Sequence, residues 1–331
     1  MYRDGKQFLT ADTMNFVLNN GALGDVITSL PAIIAAREGY HPALKMKVWA
    51  PSWQNDLVRH LLAPYGEFEV VPFEDFPMTR ALRGDWKGGH TALNQIPYNT
   101  HTRNRVHMVD YAFACLTDSR PESWDERNYP TLAPLGQPVF PSPYVVFPVG
   151  AGSDNRLFRA SVMAPIMRWC QDESYKVVVV GTKASHTKLN VGGKLTPIVL
   201  REESSLLPTD ILAQCVDMRE KTTLLELRDL CGYAAAVVGV DGGTLHLAGT
   251  TDAPIVYGLT TTVPKHRSIV RQGDPSHRIR YVGPRDLECA GCQSNWRMSR
   301  QDFTQCAYGD NLCTERLHPD DFIEALKQLG L

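Results

Sequence analysis

No apolar run in this sequence approaches the roughly 20 residues that a helix needs to cross a bilayer. The opening stretch MYRDGKQFLTADT lacks the apolar core of a secretory leader. A cytoplasmic location is therefore expected, at most peripheral to an inner membrane. Net charge is nearly absent too. The formal balance is −2, so no global field draws the chain to nucleic acid or to an anionic lipid surface. Internal repeats and low-complexity tracts are missing, which excludes solenoid and linker-like classes. What remains is ordinary for a globular chain, with 43% hydrophobic and 21% charged residues.

At 331 residues the chain is about twice the length of one typical domain. Short apolar runs alternate with helical patterns. MNFVLNN reads as a strand before a helix over 25–38, LKMKVWAP (44–51) as a strand before a helix over 52–63, and FEVVPF (68–73) as a third strand. Residues 74–105 carry no clear pattern, 106–116 read as a helix, and a Pro-rich stretch over 118–143 reads as a linker. The pattern then restarts. PYVVFPV, YKVVVVGT, TPIVLRE, AAAVVGV and APIVYGLT read as strands, with helices over 160–171, 222–234 and from Thr244. The last helix, PDDFIEALKQLGL, opens on proline and two acids, as helix N-termini do.

Such alternation predicts an α/β fold with parallel sheets, here two Rossmann-like domains facing each other across a central cleft. The expected boundaries are 1–140 and 141–315, with 316–331 a C-terminal helix that packs back on the N-terminal domain. Ligands of these sheets bind beyond the C-terminal ends of the strands.

Three segments at such ends carry chemistry. In GALGDVITSLPAI, Gly21 and Gly24 permit a tight turn, and Asp25 stands where a helix begins. Asp25 is a helix cap or a general base. In FPVGAGSDNRLFRAS, the small residues Gly150 to Ser153 precede Arg156 and Arg159. This is not the dinucleotide fingerprint. It is an anion-binding turn reinforced by two guanidinium forks, or a loop beside two surface arginines. In VVGVDGGTLHLAGTTDAPIVYGLT, Asp241 ends a strand, Gly242, Gly243 and Thr244 open a helix, and His246 follows in its first turn. Asp241 is a cap or a ligand-orienting group, and His246 a buried hydrogen-bonded ring or a ligand contact. A second turn over 258–260, ending at Thr260 and followed by Lys265, His266 and Arg267, adds to the case for an anionic ligand.

These three segments resemble, in order and spacing, the blocks of glycosyltransferase family 9, the ADP-heptose:lipopolysaccharide heptosyltransferases. The resemblance spans about 14–270. Arg156 stands where the family usually has lysine, Phe158 where it has tryptophan, and Gly242 where it has a hydroxyl residue. The acid that often follows the strand matched by VVVVGT is missing from KASHTK. The resemblance implies a GT-B fold and inverting transfer of a heptose-like sugar from a nucleotide-diphosphate donor such as ADP-heptose. It makes Asp25 the base and Arg156 the stabiliser of the departing diphosphate. Gly24, Gly150, Ser153, Arg159, Asp241, Gly242, Gly243, Thr244, His246 and Thr260 would line the donor site. No cofactor is required for this chemistry.

Two features stand apart. Cys289 and Cys292 form a CxxC pair; Cys306 follows after thirteen residues and Cys313 after six more. The cluster reads as a tetrahedral thiolate site for structural zinc or iron, or as reduced core thiols; disulfides do not suit a cytosolic chain. Cys115, Cys170, Cys215 and Cys231 read as core thiols. The stretch HTRNRVH, with Arg103, Arg105 and His107, is a solvated loop or the seat of an anionic acceptor. The acceptor itself is left open among lipopolysaccharide core, another glycan, a protein and a nucleic acid, and so is the oligomeric state. A sugar-nucleotide epimerase or hydrolase on the same fold and a non-catalytic nucleotide-sugar binder are the alternatives.

Overall fold

The computed structural model describes residues 13–18, 22–39, 44–76, 89–92, 107–116, 122, 125–150, 154–191, 194–202, 207–271, 278–294, 306 and 310–331. The chain divides into two units, Met1–Leu132 with Lys265–Pro275, and Ala133–Pro264 with Ser276–Leu331.

The first unit holds a four-stranded sheet in the order β3-β2-β1-β4. Its strands are β1 (Thr13–Val17), β2 (Lys45–Ala50), β3 (Phe68–Pro72) and β4 (Gly89–Ala92), all parallel. Its helices are α1 (Leu23–Gly39), α2 (Asn55–Leu62) and α3 (Met108–Leu116). Strand β4 falls in the stretch that carried no pattern. Parallel strands buried by crossover helices need long apolar runs to be legible, and GHTA has none. Helix α1 buries Val26, Ile27, Leu30, Ile33 and Ile34.

The second unit holds a six-stranded sheet in the order β12-β11-β10-β5-β6-β9. The strands are β5 (Tyr144–Val149), β6 (Lys176–Gly181), β9 (Val216–Asp217), β10 (Ala236–Val240), β11 (Ile255–Gly258) and β12 (Ile279–Val282), again all parallel. Taken in chain order this is the Rossmann arrangement 3-2-1-4-5-6. The continuous apolar run of β6 is buried as expected, with Val177 to Val180 at most 1% exposed. TPIVLRE lies in β8 (Lys194–Glu202), which pairs antiparallel with β7 (Ala184–Val191) as a separate hairpin rather than joining the main sheet. The helices are α4 (Ala160–Asp172), α5 (Thr209–Leu212), α6 (Leu224–Gly232), α7 (Gly243–Ala248), α9 (Leu312–Glu315) and α10 (Pro319–Gln328); α8 (Pro264–Arg267) leads the chain back into the first unit.

Two expected boundaries move. The first unit reclaims 265–275 because the Tyr129 N–H donates to the Val270 carbonyl (2.8 Å) and the His107 ring bonds Ser268 (3.0 Å). The Pro-rich segment joins the second unit earlier than residue 141. The Asp229 carboxylate accepts from the Leu135 and Gly136 N–H groups (3.0 Å each), and Arg228 donates to the Ala133 carbonyl. The C-terminal helix is also reassigned. It packs on α4, β11 and β12 of the second unit, with Phe322 fully buried, 5.2 Å from the Phe158 ring and seated over Gly258. Among the described residues no helix is long and apolar enough to cross a membrane.

Candidate functional site

In the second unit the strand order runs outward in both directions from the adjacent pair β5 and β10. Loops leaving such a pair diverge, and open parallel sheets bind their ligands there. Beyond β5, Gly150 adopts φ +92°, open to glycine, and a tight turn over Asp154–Arg156 follows. Beyond β10 comes Asp241, buried at 4% exposure, its N–H bonded to the Gly258 carbonyl at 3.1 Å.

The Asp241 carboxylate joins the two loops. The Tyr257 hydroxyl, from β11, donates to its Oδ1 at 2.6 Å. His246 brings Nε2 to 3.4 Å from that hydroxyl and 3.7 Å from the same Oδ1, its ring edge-on to Tyr257 at 6.1 Å. On the other side the Arg156 guanidinium lies 3.7 Å from Oδ2. Arg156 is one-third exposed while its carboxylate partner is buried. A cation held from behind by a buried acid and reaching solvent in front is suited to an anionic ligand.

The turn after Asp241 is backed only by a short helix. Helix α7 has six residues, so its dipole is modest. Gly242, at its N-cap, is extended (φ −166°, ψ 163°), and a Cβ there would meet only the Val240 carbonyl at 3.5 Å. A hydroxyl side chain would fit. Gly243 and Thr244 form the first turn; Thr260 is buried at 1%, and its hydroxyl donates to the Asn155 carbonyl at 2.8 Å. Arg159 directs Nε to the Thr314 hydroxyl at 2.9 Å. Both side chains thus tie loops together.

The acid missing after β6 in sequence has a neighbour in space. Glu220, in the turn after β9, bonds the Gly181 carbonyl through its N–H (3.0 Å) and accepts from the Lys183 N–H through Oε1 (3.0 Å). Glu220 and Tyr257 were both missed from sequence. The trace of Tyr257 was a single hydroxyl inside an apolar strand; Glu220 left none, since its placement depends on how β9 pairs with β6.

In the first unit, Asp25 is the third residue of α1, in the turn that leads out of β1. Its backbone carbonyl accepts from Thr28 Oγ1 (3.0 Å) and Ser29 Oγ (2.6 Å), which bind the first turn of the helix together. Gly24 precedes it, partly buried. His107 is held inside the first unit. It is 5% exposed, its Nδ1 accepts from the Val109 N–H at the start of α3, and its Nε2 bonds the Ser268 carbonyl. Burial lowers its pKa to about 4, against smaller raising effects from Asp110 and the Ser268 bond. Ser153, Arg103 and Arg105 lie outside the described residues.

The four clustered cysteines are all free thiols. They share one neighbourhood. Burial raises the pKa values of Cys289, Cys292 and Cys313, the last to about 12, and Cys306 adds to each shift through its charge. The Cys313 thiol also points at the Asn155 carbonyl, 3.7 Å away, and Cys306 at Asp310. Among the described residues no three His, Cys, Asp or Glu side chains stand close enough together to hold a metal ion.

Two units, each built on a parallel Rossmann-like sheet, are the architecture of the GT-B glycosyltransferases. Residues 106–266, just under half of the chain, match glycosyltransferase family 9 (heptosyltransferase), so the chain carries a domain of that family. Asp25 and the cysteine cluster lie outside the matched residues. The solved structures agree on the fold. The iron-containing dodecameric glycosyltransferase TibC of enterotoxigenic Escherichia coli H10407 is 14% identical, with a TM-score of 0.66 over 96% of this chain and 76% of that one. Its complex with ADP-D-β-D-heptose gives the same score over 97% and 76%. ADP-heptose lipopolysaccharide heptosyltransferase II of E. coli is 16% identical, at 0.63 over 96% and 98%. A family 9 glycosyltransferase of Veillonella parvula DSM 2008 is 12% identical, at 0.62 over 97% and 98%. No curated protein matches the chain by sequence.

Proposed function

We propose that this protein is an inverting glycosyltransferase that moves a heptose-like sugar from a nucleotide-diphosphate donor, ADP-heptose in the first instance, to an acceptor hydroxyl. The observation that carries the reading is the Arg156–Asp241–Tyr257–His246 constellation beyond β5 and β10. TibC, a structural relative, binds ADP-D-β-D-heptose.

In the proposed step the acceptor oxygen attacks the anomeric carbon as Asp25 takes its proton. The bond from that carbon to the diphosphate oxygen breaks, and the electron pair leaves with the nucleoside diphosphate. Inversion follows from displacement on the opposite face. Charge grows on the leaving diphosphate, and Arg156 with the N–H groups of Gly242, Gly243 and Thr244 stabilises it. Arg156 carries most of this, because α7 is short. Asp241 and His246 orient the donor, and Glu220 supplies the acid expected near a nucleotide ribose in sheets of this order. The enzyme works in the cytoplasm.

The cysteine cluster is proposed to hold structural iron or zinc through Cys289, Cys292, Cys306 and Cys313. Four thiols of this kind suit thiophilic iron or zinc. Among the described residues no three such side chains stand close enough to hold an ion, so binding would have to draw the two cysteine-bearing turns together. Catalysis needs no step at this site.

The reading is tested with purified protein and ADP-heptose. Asp25→Asn should abolish transfer while ADP binding persists, and Arg156→Ala should weaken both. Full turnover by Asp25→Asn would remove the base. Consumption of donor without acceptor would point to the hydrolase or epimerase alternative.

A further inference from the structure

The loop that bears Arg156 is gripped by the cysteine-bearing segment. Asn155, adjacent to Arg156 and 2% exposed, offers its carbonyl to two donors, Thr260 Oγ1 at 2.8 Å and Cys313 Sγ at 3.7 Å. One residue beyond Cys313, the fully buried Thr314 accepts from Arg159 Nε at 2.9 Å and itself donates to the Asn311 carbonyl at 2.9 Å. Helix α9 therefore closes on both ends of the 155–159 stretch.

The other half of the cysteine segment grips the loop after β11. The Gly291 N–H donates to the Thr260 carbonyl (3.0 Å) and the Gln293 N–H to the Thr261 carbonyl (2.8 Å). Gly291 has φ +70°, and a Cβ there would lie 2.5 Å from Val263, so this turn is seated tightly on the loop. Thr260 thus links one cysteine pair, through its carbonyl, to the Arg156 loop, through its hydroxyl. The bonds connect the two cysteine-bearing turns to the two loops beyond β5 and β11 in one continuous path.

We propose that this network is a positioning clamp, in which Thr314 and the cysteine-bearing turns hold the backbone at 155–159 so that Arg156 faces the donor phosphates. The inference rests on the donor-site reading of Arg156 given above. Thr314 is a positioning residue. It acts through Arg159 and the loop. The consequence is functional dependence at a distance: changes at Thr314 alter nucleotide affinity through the 155–159 loop.

The test uses the full chain and ADP as the probe. Thr314→Val keeps shape and burial and removes the acceptor of Arg159. Loss of one such hydrogen bond should raise the Kd for ADP in calorimetry about fivefold. Hydrogen–deuterium exchange should rise in a peptide covering 154–160 and stay unchanged in one covering β6. Thr314→Ser, which keeps the hydroxyl, should return both to within about twofold of wild type. Wild-type ADP affinity and exchange in Thr314→Val would overturn the clamp. If that variant does not fold, Thr314→Ala is read in the same way. Should the wild type itself bind no ADP, the donor-site reading fails. The clamp is then judged on exchange at 154–160 alone, increased protection loss supporting it and no change overturning it.

Discussion

Replacing Tyr257 by Phe removes one oxygen from the site and tests whether Asp241 is held as described. The hydroxyl donates to the Asp241 carboxylate at 2.6 Å, between residues that are 0% and 4% exposed. A hydrogen bond to a charged group is worth about 1.5–3 kcal/mol, and burial of both partners favours the upper half of that range. The ring keeps its packing on Tyr281 (5.7 Å) and its edge contact with His246 (6.1 Å), so the loss is chemical rather than steric. With the donor gone, Asp241 retains His246 and Arg156 as neighbours and has more freedom to turn. The expected result is a fall of about 2 kcal/mol in unfolding free energy by urea titration. ADP-heptose affinity should fall about tenfold or more by calorimetry, because the Arg156 head loses the fixed partner behind it. A variant matching wild type in both measurements would refute the argument that Tyr257 orders this carboxylate.

Three further outcomes are expected. Gly181→Ala places a Cβ 2.4 Å from the Val149 carbonyl at φ +116°, so stability should drop by about 3 kcal/mol or more in a denaturant titration. A loss under about 1 kcal/mol would show that the end of β5 yields easily. His107 is held neutral, with its pKa lowered by burial from 6.5 to about 4. Above pH 6.5 both states are neutral and stability is full; as pH falls from 6.5 to about 4 the unfolded chain takes a proton the folded one refuses, costing up to about 3 kcal/mol. His107→Asn should flatten that part of the pH–stability curve, and superimposable curves would contradict it. Glu220→Gln should weaken ADP-heptose binding several-fold with little change in melting temperature; equal affinity would remove Glu220 from the nucleotide site.

Many of the strands were legible because the central ones are continuous apolar runs. The four valines of β6 admit no other placement than a core strand. Strand β9, two residues long, and β4, with Gly-His-Thr-Ala, exist because neighbours pair with them, and nothing local marks them. The same distinction holds at the site. Arg156 and Asp241 could be singled out from flanking glycines and strand ends, but their 3.7 Å approach and the role of Tyr257 arise from three strands lying side by side. His107 looked like part of a basic stretch because the sequence does not reveal that Ser268 returns to bond its ring. The C-terminal helix announced an apolar face without its counterpart, which is the Phe158 ring and the bare backbone at Gly258.

That returning segment bears on how the chain is born. The first unit is discontinuous, and Tyr129 and His107 wait for Val270 and Ser268, residues made well over a hundred positions later. A ribosome that has released residues 1–132 has not released a finished unit. The contacts of Tyr129 and His107 can form only after nearly the whole of the other sheet has emerged. A truncation after residue 132 should therefore be less stable than the natural first half, which keeps the contacts of Tyr129 and His107 with the returning segment.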